Sequence, residues 1–160
     1  MFHMSKNYLP IYNNLIKLTR NKNLYLNLKN EDTFSDRLII FLLHFGFLLK
    51  NYKNELHKDQ SQELFDFIIR QIELSIREIG YGDVSVNKKM KDYVNLFYTI
   101  LGNIEKWEIL EKNAKSKLIA DLMNTKEDNH SFVDYFDKYQ EFLLKNSFNI
   151  FSKDIINFKF

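Results

Sequence analysis

The sequence predicts an all-α fold, in which about six helices form one compact domain. Turn-forming residues are scarce: the chain has four glycines and one proline, whereas sandwiches and barrels of short strands need many turns. Apolar residues recur every three or four positions along most of the chain, which is the spacing of amphipathic helices. The length of 160 residues suits a single domain.

Along the sequence, this domain consists of three regions. Residues 1–30 form a basic N-terminal helix and loop, with the helix from about Pro10 to Arg20 and proline in its first turn. Residues 31–146 form the helical core. Residues 147–160 form an aromatic tail, which we expect to pack on the same domain as a short helix and an extended end.

The second helix is expected to begin near Thr33 and to end near Tyr52. Thr33 and Asp36 form a pair typical of a capping box, in which the hydroxyl accepts a backbone N–H at the helix start. The apolar run from Leu38 to Leu49 is much shorter than the roughly 20 residues of a transmembrane helix. It therefore predicts a helix that is buried on most sides.

The third helix is expected from about Gln62 to Ile79, followed by Gly80 as a left-handed C-terminal residue. Phe67 and Leu74 lie off its apolar face, so we expect this helix to touch two neighbours or to offer these side chains as an alternative contact surface. The fourth is expected to start after Asp83, near Ser85, and to end or bend at Gly102.

Two further helical regions follow in the sequence. A fifth region is expected from about Ile104 to Met123, with a break near Asn113. The last clear helix is expected to open at Ser131, with Asp134 completing a second capping-box-like pair.

Most kinds of catalytic and cofactor site have no counterpart in the sequence. Without cysteine there is no thiolate nucleophile, thiolate zinc site or iron–sulfur cluster. No glycine-rich phosphate loop or nucleophile elbow is present, and the four histidines do not have metal-ligand spacing. We therefore expect a protein that is not an enzyme and that holds no metal or cofactor.

His44 is the exception that requires comment, because it lies inside the apolar second helix. A buried imidazole needs a hydrogen-bond partner or a role as a ligand. The pattern favours a core histidine with satisfied nitrogens. The alternative is a helical domain that binds haem or another small ligand.

The charge of the chain is unevenly distributed. Residues 1–30 contain five basic residues and no acidic one, whereas the whole chain has a net charge of only +2. Such a segment can approach an anionic membrane or RNA phosphate, or it is simply a solvated helix. Aromatic residues lie mostly at core spacing and are not interleaved with basic residues, so we expect no DNA partner.

The corner between the third and fourth helices is the candidate functional segment. Gly80 and Gly82 are expected to hold a tight turn, and Asp83 or Ser85 to cap the next helix. Three lysines then stand near the positive end of that helix, where cations are unfavourable. Either they meet an acidic or phosphate partner, or they pair with Asp83 and Asp92. The candidate partner-binding residues are Tyr81, Asp83, Lys88, Lys89 and Lys91.

This corner resembles the ubiquinol–cytochrome c chaperone family. The matching residues are Arg77, Glu78, Gly80, Gly82, Asp83, Val86, Lys88, Lys89, Met90 and Lys91, followed by Phe97 and Tyr98. Upstream, the second helix matches at Asp32, Thr33, Arg37, Leu43, His44 and Leu48, and the third at Leu64, Phe65 and Asp66. Asn87 stands where the family usually has glycine. The resemblance extends over roughly residues 10–145.

The resemblance implies a non-catalytic assembly factor for the respiratory ubiquinol–cytochrome c reductase. Its implied partners are newly made cytochrome b or assembly intermediates containing it, and the ribosome exit region. The first residues show no evident mitochondrial presequence. We therefore expect a compact bacterial-type member that is cytoplasmic and peripheral to the inner membrane. An interaction module for another client is the alternative.

Overall fold

Six α-helices make up most of the computed structural model, which describes residues 7–25, 34–125 and 129–153. The helices are α1 (Leu9–Thr19), α2 (Phe34–Tyr52), α3 (Lys58–Glu78), α4 (Asp83–Ile104), α5 (Lys112–Met123) and α6 (His130–Lys145). Short 3-10 helices span Lys22–Tyr25, Trp107–Ile109 and Phe148–Ser152. These residues contain no strand, and the all-α prediction is confirmed.

Helix α2 lies at the centre of the fold, where it packs against α1, α4, α5 and α6. Every residue from Ile40 to Leu48 is buried, as the apolar run predicts. Gly46 allows α4 to approach closely, because a Cβ there would stand 3.2 Å from Ile100 Cγ2 and 3.3 Å from Ile104 Cδ1. Among the described residues, no helix is both long and apolar enough to span a membrane.

Helix α1 joins the C-terminal part of the described chain to the core. The amide nitrogen of Asn14 donates to the carbonyl oxygens of Phe151 and Lys153, both at 2.7 Å. Phe151 is fully buried, and the expected short helix of the tail is the 3-10 helix Phe148–Ser152. The extended end predicted beyond it lies outside the described residues.

Two predicted helix starts are wrong in their details. Helix α3 begins at Lys58, earlier than Gln62, because the Gln60 side chain accepts a hydrogen bond from the His57 N–H at 3.3 Å and secures a first turn. Helix α6 begins at His130, and neither Ser131 nor the N-cap residue Asn129 supplies a side-chain cap. The Thr33 cap falls outside the described part of the chain.

The predicted fifth helical region is interrupted earlier than expected. The break comes after Ile104, not near Asn113, and contains the 3-10 helix Trp107–Ile109. Trp107 is the cause, because its ring is buried and its indole N–H donates to Asp137 Oδ1 at 2.8 Å. The chain turns so that this ring enters the core. Gly102 does not end α4, which continues to Ile104.

Candidate functional site

The α3–α4 corner, residues 74–91, contains every site residue that the sequence predicted. Gly80 has φ +107°, and its N–H donates to the carbonyl oxygen of Arg77 at 3.0 Å, which closes the last turn of α3. The expected positive φ is confirmed. Gly82 has φ −73°, and a Cβ there would meet no atom within 4 Å. The expectation that Gly82 permits a close approach of the chain is therefore wrong.

Asp83 joins the two helices through an ion pair and does not cap the second one. Arg77 Nη1 donates to Asp83 Oδ1 at 2.5 Å, and Arg77 Nη2 also reaches Glu73 Oε1 at 3.4 Å. Helix α4 instead begins at Asp83 itself, with Gly82 as the N-cap residue and no side-chain cap from Ser85. Because Asp83 is largely exposed, solvent screens this pair and its contribution to stability is small.

Glu73 extends this ion-pair chain along α3. Its carboxylate accepts from Arg70 at 2.7 Å, and the hydrogen bond from Arg70 holds the pKa of Glu73 below its usual value, with Arg77 adding to the effect. The carboxylates of Glu73 and Asp83 are therefore already paired with arginines.

The three lysines of the corner differ in their surroundings. Lys89 lies over the ring of Tyr81, with Nζ 4.5 Å from the ring centroid, so these two residues form a cation–π pair. Lys88 and Lys91 are exposed and have no partner among the described residues. Three positions apart on a helix, they lie on the same side of α4. The structure therefore leaves two of the three predicted lysines available to a partner.

Exposed apolar side chains gather at the same corner. The described residues include eight large exposed hydrophobic side chains, and four of them lie between positions 74 and 84: Leu74, Ile79, Tyr81 and Val84. Val84 is the most exposed of the eight, at 86%. Sequence reasoning named Leu74 and Tyr81 but missed Ile79 and Val84. The exposure of Val84 could have been predicted, because Val84 lies off the apolar face of α4 that begins at Val86.

Phe67, which the sequence placed off the apolar stripe of α3, is not part of this exposed group. It is half-buried, and its ring centroid lies 6.1 Å from that of Tyr8. Helix α3 thus contacts α1 at this point, as its off-stripe residue indicated.

His44 is fully buried, and both of its ring nitrogens have partners. Nδ1 lies 2.8 Å from the carbonyl oxygen of Ile40, so this nitrogen carries the proton and donates. Nε2 then accepts from the Tyr135 hydroxyl at 2.6 Å. Burial lowers the pKa of His44 to about 4, so the ring is neutral. With both nitrogens engaged, His44 is a satisfied core histidine and offers no free ligand to haem or metal.

Comparison with known families decides between the remaining interpretations. A model of the ubiquinol-cytochrome C chaperone family matches residues 26–124, which is more than half of the chain. The chain belongs to this family. No curated protein and no solved structure matches it. The matched range is narrower than the resemblance over residues 10–145, but it contains the whole α3–α4 corner and His44.

Membership of the ubiquinol–cytochrome c chaperone family supports a chaperone or assembly role for the reductase. A chaperone must have a surface that receives its client. Within the matched range, the α3–α4 corner combines exposed apolar side chains with Lys88 and Lys91, which have no partner among the described residues.

Proposed function

We propose that this protein is a non-catalytic chaperone that binds newly made cytochrome b during assembly of the ubiquinol–cytochrome c reductase. The α3–α4 corner is the proposed contact surface. The observation that carries this proposal is that Leu74, Ile79, Tyr81 and Val84 are all exposed within one short stretch of the chain. Lys88 and Lys91 follow Val84 by one and two turns and share its side of α4.

The chemistry of the corner suits a membrane protein as client. Contiguous exposed apolar side chains are unfavourable in water and mark surfaces that bind a partner. A newly made membrane protein offers apolar helices next to charged loops. The four apolar side chains of the corner can cover such a helix, while Lys88 and Lys91 face acidic groups of the client's loops.

The expectation that the lysines stand at the unfavourable positive end of α4 is wrong. The partial positive charge of a helix N-terminus acts only over the first turn, whereas α4 begins at Asp83 and places Lys88 and Lys91 in its second and third turns. What supports the proposal is that both lysines are exposed and have no ion pair among the described residues, so their charges are available to acidic or phosphate groups of a partner.

The proposed location is the cytoplasmic surface of the inner membrane, near the ribosome exit region where cytochrome b is made. Within the described part of the basic N-terminal segment, Lys17, Arg20 and Lys22 are exposed. Basic residues near an anionic bilayer contribute about 1 kcal/mol each. The proposed membrane contact is therefore weak and sensitive to salt.

Client capture with matched lysine variants tests the contact surface. Lys88→Ala with Lys91→Ala should lower the amount of cytochrome b captured from native membranes, because it removes both available charges. Its melting temperature should stay the same, because both side chains are exposed and have no partner among the described residues. The control is Lys106→Ala with Lys117→Ala, which removes two exposed lysines elsewhere and should leave capture unchanged. Full capture by a normally folded Lys88/Lys91 variant contradicts the proposed surface.

Deletion of the gene tests the role itself. Cells that lack the protein should contain less cytochrome b and have lower ubiquinol–cytochrome c reductase activity. Restoring the wild-type chain should recover both. Normal cytochrome b content in a clean deletion contradicts the proposed client.

A further inference from the structure

A second feature of the molecule is a pocket between α1, α2 and α3, with a volume of about 150 Å³. A cavity of this volume is large enough to hold a benzene-sized apolar group. It is partly open to solvent, so a ligand can enter without unfolding of the helices. Among the described residues that line it, Ser75 alone falls within the α3–α4 corner, and it is not one of the exposed apolar and lysine side chains that the proposed client surface uses.

The interior of the pocket is apolar. Its hydrophobic lining comes from all three helices and consists of Tyr12, Ile16, Phe34, Leu38, Phe41 and Ile72. Two hydroxyl groups also line it, but each donates to a carbonyl of its own helix: Thr19 to Leu15 at 2.8 Å and Ser75 to Gln71 at 3.0 Å. The interior therefore suits an apolar group that donates and accepts few hydrogen bonds.

Among the described residues, the charged ones that line the pocket are both cationic. Arg20, at the C-terminal end of α1, and Arg37, in the first turn of α2, are exposed and line it. Arg37 already takes part in another interaction, whereas Arg20 has no side-chain partner among the described residues. Asp36 shares the first turn of α2, but neither it nor any other acidic residue of the described ranges lines the pocket. The guanidinium group of Arg20 beside an apolar interior is complementary to an anionic group attached to an apolar chain.

We propose that this pocket binds an amphiphile in which a carboxylate or phosphate group is attached to an acyl chain. The acyl chain occupies the apolar interior, and the anionic group contacts Arg20. Free fatty acids and anionic phospholipids share this chemistry. The inference does not depend on the proposed client, because it uses other residues and another ligand.

Titration with octanoate, followed by NMR chemical shifts of the pocket residues, tests this binding. Octanoate should bind, acetate should not bind, and 1-octanol should bind more weakly. Arg20→Gln should weaken octanoate binding about tenfold, the worth of one charge-assisted hydrogen bond, and should leave 1-octanol binding unchanged. Arg70→Gln is the matched control, because Arg70 is exposed but does not line the pocket.

A second variant tests the apolar part of the site. Ser75→Leu should fill the pocket and weaken both octanoate and 1-octanol, and a thermal melt shows whether the variant is folded. If Ser75→Leu does not fold, the Arg20 comparison alone decides. Equal binding of octanoate and 1-octanol, or equal losses in Arg20→Gln and Arg70→Gln, overturns the proposal.

Vesicles distinguish the two sources of ligand. If phosphatidylglycerol vesicles bind the wild-type chain better than the Arg20→Gln variant, and if they compete with octanoate, the ligand is a phospholipid. Octanoate binding without such competition identifies a free fatty acid. If neither amphiphile shifts the pocket resonances while an acidic, aromatic peptide does, the pocket is a protein-binding site and the proposal is wrong.

Discussion

Gly80 is the residue at which α3 ends and the chain turns toward α4. Its φ of +107° lies where residues with a Cβ are strained, and β-branched residues most of all. We expect Gly80→Val to lower the free energy of unfolding by about 1–3 kcal/mol. Chemical denaturation of the purified variant measures this change.

Gly82 provides the matched control for Gly80. Its φ of −73° is open to any residue, and space surrounds its Cα. Gly82 is the N-cap residue of α4, a position that serine also favours. Gly82→Ser should therefore keep or slightly raise stability. Equal losses in the two variants would show that the corner needs small residues and not a positive φ.

His44 gives the fold a dependence on pH. Burial lowers its pKa to about 4, against 6.5 for an exposed imidazole. The unfolded chain therefore takes up a proton at a higher pH than the folded one. This contribution to stability is fully present above pH 6.5 and is lost as the pH falls toward 4. At about 1.4 kcal/mol per unit of pKa, its size is roughly 3 kcal/mol.

Two measurements check the contribution of His44. The unfolding free energy of His44→Gln should change less between pH 6.5 and 4 than that of the wild-type chain, because glutamine does not titrate. Carboxylates titrate in both proteins and cancel in the comparison. An NMR titration of His44 in the folded protein with a midpoint near 6.5 would contradict the account.

At the scale of helices, two glycines inside helices are expected to respond in opposite ways to a larger side chain. Gly46 of α2 faces Ile100 and Ile104 of α4 at distances that leave little room for a Cβ. Gly46→Val should lower the free energy of unfolding by about 1–3 kcal/mol through overpacking. Thermal and chemical denaturation measure the loss.

Gly102 of α4 is the contrasting case, since a Cβ there would meet no atom within 4 Å. Gly102→Ala should raise the free energy of unfolding by about 0.5–1 kcal/mol, because alanine loses less backbone entropy in a helix. A stabilised Gly46→Val, or a destabilised Gly102→Ala, would contradict the packing of α2 against α4.

Helices with continuous apolar patterns are the elements that the sequence predicts best. The buried run of α2 and the end of α3 at Gly80 were predictable because burial and backbone conformation leave strong local signals. The break around Trp107 was not, since it depends on a hydrogen bond to Asp137, thirty residues later. The early start of α3 depends on a hydrogen bond to the Gln60 side chain. A search for serine or threonine as the first residue of a capping box does not find it.

At the scale of the whole molecule, the sequence names most residues of the candidate site but not the contacts that they make. Glycine spacing and clustered lysines indicated the α3–α4 corner. Neither predicted that Lys89 lies over Tyr81, or that Asp83 pairs with Arg77 across the turn. Exposure of Val84 depends on the orientation of α4 in the fold, and the pocket depends on how α1, α2 and α3 pack together. Such features are properties of tertiary packing.

Site-specific photo-crosslinking tests the central claim most directly, namely that the α3–α4 corner receives newly made cytochrome b. A benzophenone amino acid replaces Val84, the most exposed apolar residue of the corner, and in a control variant replaces Leu144 of α6, which is also exposed. During cytochrome b synthesis, the Val84 variant should form crosslinks to cytochrome b and the Leu144 variant should not. Absence of these crosslinks at Val84, or equal crosslinking from both positions, would contradict the account.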